Sequence, residues 1–102
     1  MTIVESDRAV IGGVDTHLDV HVAAALDPVG GLLGVHEFTT TAPGYEELLA
    51  WLTSLGRVER VGVEGTGSYG AGLARFLLEH CVEVLEVDRP NRQARAEGHL
   101  HG

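Results

Sequence analysis

The stretch VGVEGTGSYGAG, residues 61–72, decides how the chain is read. It holds G-x-G-x-x-G as Gly65, Gly67 and Gly70, directly after an apolar run of strand character. Asp88 lies eighteen residues beyond Gly70, near the end of another apolar run. That spacing is close to the fingerprint of a dinucleotide-binding βαβ unit. Glu64 opposes this reading. It stands directly before the glycines, and a negative charge there weakens anion binding at a helix N-terminus. The glycines have a simpler use, because Gly65 and Gly67 let the backbone turn sharply off a strand. Ser68 is then a candidate helix cap. A small dinucleotide-binding protein using Gly65, Gly67 and Gly70 stays open as an alternative.

Working outward, the order of elements favours a different fold. Residues 9–15 (AVIGGVD), 20–27 (VHVAAALD) and 32–39 (LLGVHEFT) read as three strands separated by short polar or glycine-rich breaks. Breaks this short predict an antiparallel meander. Pro43 then fits a helix start, with Thr41 or Ala42 before it. Tyr45, Leu48, Leu49, Leu52 and Leu55 follow at helical spacing. Glu46 and Glu47 are placed in the first turn, where the helix dipole favours anions. Gly56 ends the helix. Residues 58–64 predict a buried strand, and 68–81 a second helix with a stripe of Leu73, Phe76, Leu77 and His80. Residues 82–87 (VEVLEV) predict a last strand, with valine and leucine on one side and Glu83 with acid neighbours on the other.

The order β-β-β-α-β-α-β is that of the ribonuclease-H-like α/β fold, which includes RuvC-type resolvases and many transposases. A doubly wound dinucleotide fold opens on its glycine-rich turn instead. In the ribonuclease-H-like order the first strand lies centrally beside the fourth. Their terminal acids, Asp15 and Glu64, would then meet. A carboxylate closing an apolar strand is costly unless paired, solvated or bound to a cation. Two such groups side by side repel, and a hard divalent cation relieves the repulsion. Asp15 and Glu64 are therefore candidate catalytic and metal-binding residues. The alternative is that both face solvent at strand ends.

Asp15, His17, Asp19 and His21 alternate and would share one face of a continuous strand, as a transition-metal site requires. The polar break THLD instead predicts a turn that splits them. His17 remains close enough to Asp15 to support it as an outer partner. His36 and His80 read as structural histidines. The lone Cys81 reads as a core residue.

Composition sets the outer bounds. The chain has 102 residues, 44% hydrophobic and 22% charged, which suits one small folded domain. No apolar run reaches the roughly 20 residues of a membrane span. The N-terminus lacks a signal-like stretch, so a cytoplasmic protein without membrane partners is expected. The net charge of −8 argues against a general nucleic-acid binder. Yet three of the seven arginines, Arg89, Arg92 and Arg95, fall in the tail after Asp88. That tail is either a solvated linker or a basic arm along phosphates. The expected organisation is a tail at 1–8, a domain at 9–88 and a basic tail at 89–102.

The segments IGGVDTHLDVHVAAALDPVGGLLG, FTTTAPGYEELLAWL, VGVEGTGSYGAGLARFL and VDRPNRQAR resemble the N-terminal domain of DEDD transposases of insertion-sequence family 110. The resemblance runs from about Val10 to Arg95. It implies a RuvC-like domain whose four acids bind Mg²⁺ or Mn²⁺ for DNA recombination. It also implies a guide RNA, a homo-oligomer in the full-length enzyme, and a serine nucleophile on a separate C-terminal domain. Asp15 and Glu64 match the first two acids, and Arg89, Arg92 and Arg95 match the basic arm. Leu18 stands where the family pattern D-x-H-K-D has lysine. The family's third and fourth acids follow the basic arm, where this chain reads GHLHG. A truncated or frameshifted copy, or a deliberately shortened chain, inactive alone, is the resulting expectation. A catalytically dead nucleic-acid-binding or dimerisation module is the alternative.

Overall fold

The computed structural model describes residues 8–88. Seven elements follow in chain order: β1 (Ala9–Thr16), β2 (Val20–Leu26), β3 (Leu32–Thr39), α1 (Ala42–Leu55), β4 (Arg57–Glu64), α2 (Ala71–Glu79) and β5 (Glu83–Val87). The strands form one mixed sheet in the order β3-β2-β1-β4-β5. β1 pairs antiparallel with β2 and parallel with β4. β2 and β3 are antiparallel, whereas β4 and β5 are parallel. This is the expected ribonuclease-H-like order, with the first strand central beside the fourth.

Strand periodicity gives the sheet two faces. Val10, Val14, Ala23, Ala25, Val61 and Val63 are buried on one of them, with Leu48 and Leu52 of α1 and Leu73 and Leu77 of α2. Tyr45 and Phe76 bring the two helices together on that face, their ring centroids 5.9 Å apart. The sheet therefore has both helices on one side. Fully burying a leucine stabilises by about 1.5–3 kcal/mol, so four buried leucines anchor the helix layer.

α1 begins as the sequence suggests, with a shift in register. The Thr41 hydroxyl caps it by accepting the Gly44 N–H at 3.1 Å. Pro43 occupies the second helical position rather than the first. Glu46 and Glu47 consequently fall beyond the first turn, which holds no acid. Their dipole stabilisation is lost, because that effect fades after one turn.

α2 departs further from expectation. It starts at Ala71 with Gly70 as its N-cap and receives no side-chain cap. Ser68 lies in the preceding turn, its hydroxyl donating to the Gly65 carbonyl at 3.3 Å. The helix ends at Glu79, so His80 and Cys81 lie outside it. Cys81 is exposed, with φ of 63°. Its N–H meets the Leu78 carbonyl at 3.0 Å, and the Val82 N–H meets that of Leu77 at 2.9 Å. These bonds define a Schellman closure with cysteine at the left-handed position. The core residue at this corner is Val82.

β5 also corrects its expected pattern. Alternation places Val84 toward the helices, where it packs on the core. Leu85 and Val87 share the opposite face with Glu83, and both are 43% exposed. The sequence V-E-V-L-E-V shifts its polar register midway, so its apolar residues divide between two faces.

Candidate metal-binding carboxylates at the sheet centre

The face without helices presents small and β-branched residues: Gly13, Val22, Ala24, Gly62 and Val87 line a shallow apolar hollow. Asp15 and Glu64 line the same hollow. The β1–β4 register accounts for this. Val14 pairs with Val63, so Asp15 and Glu64 are the next residues on two parallel strands about 4.8 Å apart. Each strand buries its even or odd partners under the helices. Val14 and Val63 point inward, and the following carboxylates therefore point to the open face.

The turn after β1 splits the histidine–aspartate series as expected. β1 ends at Thr16, and the His17 N–H bonds the Val20 carbonyl at 3.0 Å to close the turn. His17 Nε2 lies 3.0 Å from Asp15 Oδ2, with both side chains about half exposed. His21 instead points under the helices, fully buried, and its ring stacks on Tyr45. The four residues thus divide between the open face, the turn and the core. Among the described residues, no cluster of three or more histidines, cysteines or acids suited to a metal ion is formed.

The TTT segment at 39–41 braces this turn. The Thr40 hydroxyl donates to the His17 carbonyl at 3.1 Å, and the Thr40 N–H meets the Asp19 carbonyl at 3.1 Å. By sequence alone this segment only closes β3 and precedes the helix start at Pro43. Only the return of β3 alongside β2 brings it to the turn.

On the other side of the site, the glycine-rich stretch acts as a backbone corner. Gly65 has φ of 64°, a left-handed conformation that glycine adopts without steric cost. Its carbonyl accepts the N–H groups of Ser68 and Gly70 at 2.9 and 2.8 Å. Gly70 lies so close to the Glu64 carbonyl that a Cβ there would collide with it. Thr16 reaches the same carbonyl from β1, its buried hydroxyl donating at 2.8 Å. Spacing alone did not reveal this role for Thr16. A threonine among apolar strand residues was the available signal. Arg89, Arg92 and Arg95 lie outside the described residues.

A transposase family model, that of the DEDD enzymes of insertion-sequence family 110, matches residues 12–102. The chain belongs to this transposase family. DNA is the partner that membership implies. The match covers both candidate acids, the glycine-rich corner and the arginine segment. No curated protein matches the transposase-family chain. No helix among the described residues is long and apolar enough to cross a membrane.

Proposed function

We propose that this chain contributes the first two acids of a RuvC-like transposase catalytic domain, with Asp15 and Glu64 as ligands of Mg²⁺ or Mn²⁺. The observation that carries this reading is their placement on one face at the ends of neighbouring parallel strands. Carboxylate oxygens match hard divalent cations in chemical type. Two carboxylates are too few to enclose one, so further ligands must complete the shell. When bound, the metal supplies charge stabilisation for phosphoryl transfer. His17 Nε2, 3.0 Å from Asp15 Oδ2, helps to orient the carboxylate.

Arg89, Arg92 and Arg95 form a basic arm for nucleic-acid phosphates in this proposal, and binding through them weakens with salt. A guide RNA and a homo-oligomer belong to the full-length enzyme. In this proposal the pair alone does not support recombination of DNA, because two carboxylates leave the shell of a divalent cation unfilled.

Thermal unfolding with and without Mn²⁺ tests the metal pair. The wild-type chain should gain stability with Mn²⁺, and the gain should vanish in Asp15→Asn and in Glu64→Gln. No shift in the wild type, or an equal shift in both variants, would favour a binding module without a metal. Mg²⁺-dependent strand cleavage by the purified chain would contradict the proposed inactivity.

A further inference from the structure

We infer that Thr16 is a positioning residue for the carboxylate pair, tethering the backbone of Glu64 to the strand that carries Asp15. The inference rests on the metal reading above for its purpose, but on independent geometry for the tether. Thr16 follows Asp15 directly and is fully buried on the helix side of β1. Its hydroxyl donates to the Glu64 carbonyl at 2.8 Å, bridging 48 positions of sequence.

The location matters because strand ends fray. β1 ends at Thr16 and β4 at Glu64. The chain then leaves β4 through the left-handed Gly65. At this end the ladder pairs Glu64 with Val87 of β5, while the β1–β4 register stops one residue earlier, at Val14 and Val63. The Thr16 hydroxyl adds a bond to the carbonyl of the acid itself. Gly70 confines that carbonyl from the other side, where a Cβ would collide with it. The Glu64 backbone is thus held between a donor on β1 and the start of α2. Its side chain emerges on the opposite face, beside Asp15. Thr16 is buried on the helix side while Asp15 and Glu64 line the open face, so it acts through the stagger of the two strands. Small displacements of ligand-bearing backbone are expensive, since productive sites tolerate only about 0.5 Å of error.

Three variants compared with the wild-type chain separate this tether from ordinary packing. Thr16→Val keeps the β-branched shape and removes the donor. Thr16→Ser keeps the donor and removes the methyl. Asp15→Asn reports the metal pair itself. The first readout is Mn²⁺ affinity by electron paramagnetic resonance. Losing one net hydrogen bond corresponds to about a fivefold change in an equilibrium. Thr16→Val should therefore weaken Mn²⁺ about fivefold, and Thr16→Ser should restore most of that loss.

The second readout needs no metal. Backbone order at Glu64 and Gly65, measured by nuclear magnetic resonance relaxation, should fall in Thr16→Val and recover in Thr16→Ser. Order at a core position such as Val61 should stay unchanged. Unaltered order at Glu64 in Thr16→Val would overturn the tether. So would Mn²⁺ affinity equal to wild type, or a Thr16→Ser variant as impaired as Thr16→Val. If the wild type binds no more Mn²⁺ than Asp15→Asn, the metal reading fails and takes the tether's stated purpose with it. The relaxation measurement still decides whether the tether itself exists.

Discussion

The two faces of the sheet are built from the same strands yet perform different work. On the helix side, Val10, Val14, Val61 and Val63 are buried in one cluster with four leucines. On the other side, glycine, alanine, valine and two acids line a hollow. One face concentrates hydrophobic burial. The other places two like charges where burial would be costly. Because side chains alternate along a strand, neighbouring residues separate these demands. Val14 supports the core, and Asp15, the next residue, lines the hollow on the open face. If Asp15 is the metal ligand proposed above, stability and metal binding can be perturbed independently, one residue apart.

The largest test of that separation strikes the helix side. Leu52→Ala should cost about 2–5 kcal/mol in urea unfolding, as buried leucine truncations do. Small domains hold only about 5–15 kcal/mol in total, so a loss of this size would unfold part of the population. A cost below about 1 kcal/mol would show that the helix face is not the main anchor.

A smaller effect is expected where the helix layer begins. Thr41→Ala removes the α1 cap and should cost about 1 kcal/mol. Thr41→Ser keeps the accepting oxygen and should recover most of it. The smallest effect belongs to the open face. Without metal, Asp15→Asn should change stability by less than about 0.5 kcal/mol, as an exposed substitution does, or raise it by relieving repulsion with Glu64. A large loss would show that the open face also holds the fold together.

Much of this arrangement was legible in the sequence, for local reasons. Element order followed from hydrophobic periodicity and from breaks such as PVGG and the Thr41–Pro43 start. Asp15 and Glu64 stood out because each closes an apolar strand. Errors gathered where local pattern competes with the chain's path. Cys81 looked like a core residue, but the helix ends at Glu79, two residues before it, and the core position falls to Val82. Ser68 looked like a cap, but a turn intervenes and Gly70 takes that place. In β5, Leu85 and Val87 were assigned to the wrong face because the apolar pattern changes register within six residues.

The glycine-rich stretch shows the same limit from another side. Its spacing resembles a phosphate loop. In the folded chain, Gly65 turns the backbone and Gly70 admits the Glu64 carbonyl, both beside a candidate metal ligand. The meaning of those glycines depends on what lies across from them, which spacing does not record.

The sequence by itself determined the order of strands and helices, the family, and the two acids at strand ends. These depend on side-chain type and short-range periodicity, which every residue carries locally. Tertiary structure decided which face each acid occupies and the bond from Thr16 to Glu64. Those depend on a parallel register between segments 48 positions apart. Such a register is set jointly by packing against both helices, so no single segment contains it.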